Sequence, residues 1–249
     1  MAMKADDVKK LLQKKYREQA RQYLVEGEHL ILELQKAAAT QTYLKESWLF
    51  ITEDYSDWVE KNLTLNLRTT IVGQKAMAAM SDTKSPQGII AVVPFAPELP
   101  ATKPALHERA IYLHEVQDPG NLGTILRTLG WFGGFRCLLS PGSVDPYNPK
   151  VVRASMGAVF HVQIEQDVAI NSLKPRFGSI ASLDMAGAAL SDASLKQHRC
   201  FVFGNEARGV PREQLQALNA EPYSIQGCGA IESLNLATAV NMCVYELVR

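Results

Sequence analysis

Apolar and polar positions follow two different rhythms along this chain. In the first part, "DDVKKLLQKKYREQARQYLVEGEHLILELQKAAA" sets Leu, Val and Ile at helical spacing among lysines and arginines, with a break at Gly27. That pattern predicts a basic helix, a short strand around Tyr23–Val25 and a second helix. The short runs "SWLFIT" and "QGIIAVVPF" are bounded by polar, Gly or Pro residues and predict strands. In the second part, continuous apolar runs alternate with helical periods. "AIYLHEV" precedes "NLGTILRTLGWFGG", and "FRCLLS" precedes "PKVVRASMGAV". "HVQIEQ", "GSIASLD" and "CFVFGNE" follow as strands, and "EPYSIQG" leads to a last helix. Strands without alternation, interleaved with helices, predict an α/β fold with a mostly parallel sheet covered on both faces. Between the two rhythms, Pro94, Pro97, Pro100 and Pro104 resist both helix and sheet. The expected division is 1–95, a linker over 96–107, and 108–249.

Composition narrows this little. A hydrophobic fraction of 47% over 249 residues suffices for a well-formed core, in one large domain or two small ones. The net charge is zero, so any nucleic-acid partner must be met by a local basic patch. Cys137, Cys200, Cys228 and Cys243 are scattered, with no C-x-x-C and no Cys/His cluster at metal-ligand spacing. No metal is expected, and reduced thiols fit a cytoplasmic protein. The charged N-terminus is no signal peptide, and no apolar run is long enough to cross a bilayer.

Ligands of parallel sheets bind at the carboxyl ends of the strands, so the strand-to-helix joins matter most. In "HEVQDPGNLGTILR", Pro119 and Gly120 force a turn and Asn121 can cap the helix. Arg127 lies two turns in, either on the solvent face or leaning back toward the strand ends. In "FVFGNEARGVP", Gly204 lets a ligand approach the backbone, with Asn205 and Glu206 beside it; an ordinary turn with a solvated Glu would look the same. In "IQGCGAIESLNLATAV", Ser233 is placed to cap the last helix and Asn235 falls in its first turn. The preceding Gly-rich loop offers backbone amides and carbonyls to the edge of a flat heterocycle. "NPKVVRAS" puts Lys150, Arg153 and Ser155 at a helix start, suited to a phosphate or simply to solvent. Neither a G-x-G-x-x-G after the first strand nor a P-loop occurs, which removes the support for a dinucleotide-binding enzyme.

Asn121, Gly123 and Arg127 of "NLGTILR", "FGNEARG" and "IESLNLATAV" together resemble the motifs of the SpoU (TrmH-type) branch of the SPOUT superfamily of RNA ribose methyltransferases. The resemblance covers residues 111–249. The first region more loosely resembles the ribosomal-protein-like substrate-binding domain that precedes many such enzymes, through "KKYREQARQYLVEGEHLI" and "SDTKSPQGIIAVV". It implies a C-terminal trefoil knot and transfer of a methyl group from S-adenosyl-L-methionine to a ribose 2′-hydroxyl of rRNA or tRNA by a homodimer. Asn121, Arg127, Glu206, Ser233 and Asn235 would line the reaction site. Gly204, Asn205, Ile225, Gly229 and Leu234 would hold the cofactor. The family assigns proton abstraction to the residue at Arg127. A guanidinium accepts no hydrogen bond while protonated, so Arg127 could instead clamp a phosphate while the proton leaves through Ser233 or water. Lys14, Lys15, Arg17, Arg21, Lys150 and Arg153 are candidate RNA contacts, against a solvated helix face. The alternative function is a non-catalytic RNA-binding protein on the same fold.

Overall fold

The computed structural model describes residues 3–97, 108–231 and 233–249. Most of the proline-rich stretch expected to be a linker, from residue 98 to residue 107, therefore lies outside the described residues. In chain order the elements begin with α1 (Ala5–Lys10), α2 (Lys14–Ala20), β1 (Gln22–Glu26), α3 (Glu28–Ala38), β2 (Trp48–Ile51), α4 (Ser56–Asn62), β3 (Arg68–Ile71), α5 (Gln74–Met80) and β4 (Ile89–Pro94). Then come β5 (Arg109–Leu113), α6 (Pro119–Phe132), β6 (Phe135–Leu139), α7 (Pro149–Ala154), β7 (Gln163–Glu165), α8 (Leu173–Phe177) and β8 (Ile180–Ala189). The chain ends with β9 (Cys200–Phe203), α9 (Arg212–Leu218), β10 (Glu221–Ser224) and α10 (Leu236–Val248).

These elements pack as two units. The first comprises residues 1–99 and 145–161, the second 100–144 and 162–249. Asp145–His161, inside the stretch expected to be the second domain, therefore packs with the first unit.

In the first unit, a four-stranded sheet runs in the order β1-β4-β2-β3, with only β2 and β3 parallel. Val8, Leu11, Leu24, Phe50, Met77, Met80, Ile90 and Val92 form a core on one face of it. The basic helix expected from sequence is two helices. The carbonyl left open at the end of α1, Leu11 O, is bound by Arg17 Nη1 at 2.8 Å instead of by a continuing helix. The same guanidinium donates to Asp145 Oδ2 from Nε (2.9 Å) and Nη2 (2.5 Å). Arg17 is 2% exposed, so this ion pair is buried. Around it Tyr147 stacks on Phe95 at 4.2 Å and meets Tyr23 at 4.8 Å, and Gln41 Nε2 donates to Phe160 O. The 145–161 segment is thus built into this unit's interior.

In the second unit all six strands run parallel, in the order β10-β8-β9-β5-β6-β7. The continuous apolar runs follow from burial on both faces. On one face Ala110, Tyr112, Leu138, Ile180 and Val202 meet Leu173, Phe177 and Leu218. α6 and α10 pack on each other, and Thr128 Oγ1 donates to Asn241 Oδ1 between them at 2.7 Å.

Candidate active site

Three joins at the carboxyl ends of β5, β9 and β10 build the site. β5 ends at Leu113, and the loop after it is held by its own polar groups. Glu115 N donates to Ser140 Oγ at 2.7 Å, and Gln117 Nε2 donates to Glu115 O and Gly142 O. Asp118 then starts α6: its Oδ1 accepts from Asn121 N at 2.7 Å, with Pro119 in the first helical position. The cap is Asp118, not Asn121 as expected, because Asp-Pro already supplies an acceptor followed by a residue without an N–H. The Asn121 side chain is left free to face the other two joins.

The second join turns tightly after β9. Asn205 and Gly209 exchange backbone bonds of 3.1 and 2.9 Å. A Cβ on Gly204 would stand 2.4 Å from Gly209 C, so this position tolerates only glycine. Asn205 is buried, and both ends of its amide are engaged. Its Oδ1 accepts from Ala207 N and Arg208 N, and its Nδ2 donates to Glu115 O at 2.7 Å. Arg208 in turn reaches Glu115 Oε2 at 2.7 Å, across a residue held at φ 50°. The turn leaves Glu206 exposed at its tip.

The third join leads into α10. Asn235 caps this helix, Oδ1 accepting from Ala237 N (2.9 Å) and Thr238 N (3.3 Å). Ser233, the expected cap, stands two residues too early; it is exposed and no hydrogen bond links it to another described residue.

The three joins meet on Asn121. Asn235 Nδ2 donates to Asn121 Oδ1 at 2.8 Å, and Asn121 Nδ2 donates to Glu206 Oε1 at 3.0 Å. Residues 114 and 85 positions apart are thereby fixed by one amide. The N-termini of α6 and α10 converge here, and their partial positive charge favours the Glu206 carboxylate. Arg127 is exposed on α6 and bonds to no other described residue. The structure therefore brings together Asn121, Glu206 and Asn235, and leaves the Arg127 guanidinium and the Ser233 hydroxyl unengaged.

Beside this cluster, residues 225–231, 233 and 234 offer backbone rather than side chains. Among the described residues 226–231, 233 and 234, no backbone N–H or C=O bonds to another described group. Gly229 sits at φ 81°, with open space where a Cβ would be. An exposed glycine loop with unspent donors and acceptors fits the edge of an adenine and the polar tail of S-adenosyl-L-methionine. Ile225 is half-buried and Leu234 is exposed at its ends. Among the described residues, no group of three or more His, Cys, Asp or Glu could hold a metal ion, and no helix is long and apolar enough to cross a membrane.

The basic candidates of the first unit divide. Arg17 is not placed to contact RNA as expected, because its guanidinium is buried on Asp145. Arg153 reaches Asp82 at 3.2 Å and Lys14 reaches Glu18 at 3.5 Å. Lys15 lies exposed over the Tyr16 ring, Arg21 lies over Phe95 at 4.9 Å, and Lys150 is exposed.

Two families match the chain: the SpoU rRNA Methylase family over residues 108–245 and the MRM3-like substrate binding domain over residues 4–91. The 23S rRNA (guanosine(2553)-2′-O)-methyltransferase RlmP of Bacillus subtilis is 29% identical over 98% of this chain and 95% of its own. The AdoMet-bound rRNA methyltransferase of Sinorhizobium meliloti superposes with a TM-score of 0.80 at 26% identity, covering 98% of this chain and 93% of that one. An RNA methyltransferase structure of the TrmH family from Porphyromonas gingivalis gives 0.81 at 28% identity, over 99% and 98%.

Proposed function

The chain belongs to the SpoU rRNA methylase family and is an S-adenosyl-L-methionine-dependent RNA ribose 2′-O-methyltransferase; from that premise we propose that Asn121, Glu206 and Asn235, with Arg127 and Ser233, form its reaction site for ribosomal RNA. One observation carries the site: the Asn235–Asn121–Glu206 chain of hydrogen bonds, which joins the three motifs at one end of the sheet.

The roles follow from chemistry. Bound S-adenosyl-L-methionine supplies an electrophilic methyl group on its sulfonium. The glycine loop and the turn at Gly204 hold it by backbone, and Ile225 and Leu234 cover apolar surface. Asn121, held on both sides, fixes Glu206 and the start of α10 relative to one another. Alignment of the ribose oxygen with the methyl carbon and sulfur can lower a barrier by up to roughly 7–11 kcal/mol in well-oriented cases, and a site held rigid in this way favours it. Among the described residues Arg127 has no partner to give up, so its guanidinium is available to a phosphate next to the target ribose. It polarises the hydroxyl there, and the proton leaves through Ser233 or water, since a protonated guanidinium accepts none.

The first unit takes the RNA, supported by its match to a substrate-binding domain. The working unit is a homodimer in the cytoplasm. Trp131 (84% exposed), Met242, Tyr245 and Val248 leave an apolar surface on α6 and α10, and a two-fold pairing covers such a patch.

The test is transfer of labelled methyl from S-adenosyl-L-methionine to ribosomal RNA, followed by nucleoside mass analysis. A 2′-O-methylated nucleoside is expected. Tight cofactor binding without transfer would favour the non-catalytic alternative.

A further inference from the structure

Across the sheet of the first unit, Leu24, Val92, Trp48 and Arg68 stand in register in one row, from β1 through β4 and β2 to β3. The row runs from buried aliphatic groups through a half-buried indole to an exposed guanidinium at the open edge. The indole is fixed. Trp48 Nε1 donates to Thr70 Oγ1 at 2.9 Å, and its ring lies over Phe50 at 5.9 Å with 24° between the planes. Arg68 Cζ sits 5.7 Å from the centroid of that ring. Two other arginines of this unit are spent on carboxylates, Arg17 on Asp145 and Arg153 on Asp82. Arg68 has no hydrogen bond or ion pair with any described residue. β3 pairs on one side only, with Arg68, Thr69 and Ile71 exposed along it.

We propose that Trp48 and Arg68 form a stacking site for one unpaired nucleotide of the RNA substrate, a role that rests on the first unit being the RNA-binding part. An immobilised aromatic ring topped by an unpaired guanidinium offers a flat cationic surface. A nucleobase stacks on such a plane whatever its identity, and the adjoining phosphate takes the N–H donors at the guanidinium rim. A duplex hides its base faces, so the site selects single-stranded or bulged RNA. Proteins rich in carboxylates also seek an arginine, but they have no use for the immobilised ring beneath it.

The experiment uses the full chain and a short fluorescein-labelled single-stranded RNA, with the same strand in a duplex as comparison. Arg68→Gln should weaken single-strand binding about tenfold, the scale of losing one stacked base. It should also lower the slope of log affinity against log salt by about 0.7, the share of one phosphate. Arg68→Lys should keep the salt slope but lose part of the affinity, because an ammonium does not stack. Trp48→Phe keeps an aromatic face but gives up the bond to Thr70, and should lose less than Arg68→Gln. Duplex binding should change by less than about twofold in all three. Wild-type affinity in Arg68→Gln, or equal losses for single strand and duplex, would overturn the proposal while methylation by the wild-type chain stands. A wild-type chain that neither binds nor methylates RNA would overturn the functional reading as well.

Discussion

Two sets of polar side chains bridge long stretches of this sequence, and they differ in where they sit. In the first unit, Arg17 and Asp145 are 128 residues apart and buried. In the second, Asn121, Glu206 and Asn235 span comparable separations, yet Glu206 and Asn235 are exposed. A buried charge must be paired or it destabilises the fold, so Arg17–Asp145 is explained by packing alone. The Asn121 chain is under no such demand, because water could serve every one of its atoms. Its order is accounted for by what it positions. Separation in sequence therefore does not identify a site; unforced order at the surface does.

The largest effect that could break this contrast is on stability. Arg17→Ala should cost about 3–5 kcal/mol, because Asp145 would be left as an uncompensated buried charge. Thermal or urea unfolding of the full chain reads this directly. Exchanging both partners for apolar residues should recover much of the loss. A stability within about 0.5 kcal/mol of wild type, as for an ordinary surface change, would place the pair at the surface and erase the distinction.

Next in size is association. Met242→Glu puts a charge on the apolar surface of α10 and should raise the dissociation constant of the proposed dimer at least about tenfold, equal to 1.4 kcal/mol. Sedimentation against concentration measures it, and activity should fall in parallel. A fully active wild-type monomer at micromolar concentration would remove the dimer from the account.

At α10 the contrast can be sharpened. Asn235→Ala should cost about 1 kcal/mol for the cap and also impair turnover, whereas Ser233→Ala should leave stability unchanged. Comparable stability losses from both would return the cap to Ser233.

The Ser233 and Asn235 pair also shows how far the sequence was legible. The apolar runs announce β5, β6 and β9, because burial on both faces leaves few polar residues in them, whereas β7, the second half of β8 and β10 are part-exposed and are read from their place between helices. The "FGNEARG" signature puts Glu206 just past the end of β9, and "SLN" puts Asn235 at the start of α10. Their division of labour was not legible. Which of two neighbouring polar residues caps a helix depends on where the backbone turns, and Asp118 displaced Asn121 for the same reason. Nor could the charge run "KKLLQKKYR" show that Arg17 is buried, since its partner lies far away in a segment assigned to the other domain. β3, with "RTTI" exposed at an edge, lacks the apolar pattern by which strands are found, so neither it nor the Arg68–Trp48 stack is legible in the sequence.

A smaller effect tests the cofactor loop. Burial pushes the thiols of Cys137 and Cys243 up to about 12 and that of Cys200 higher still, so all three are inert at neutral pH. Cys228 is exposed between the two loop glycines. Mild alkylation of the native chain should modify one thiol, and S-adenosyl-homocysteine should slow that reaction severalfold. Labelling of the buried cysteines, or a rate indifferent to the ligand, would count against the assigned loop.

The most direct measurement compares methyl transfer with cofactor binding in Arg127→Ala. Arg127 is exposed and bonded to nothing else described, so its removal should leave folding intact and S-adenosyl-L-methionine affinity within about threefold, well under 1.4 kcal/mol. Transfer to ribosomal RNA should fall by at least about 100-fold, the lower end of what one fixed hydrogen-bond donor at the reacting centre contributes. Turnover within a few-fold of wild type, at unchanged cofactor affinity, would contradict the placement of the reaction at the Asn121–Glu206–Asn235 cluster with Arg127 as its cation.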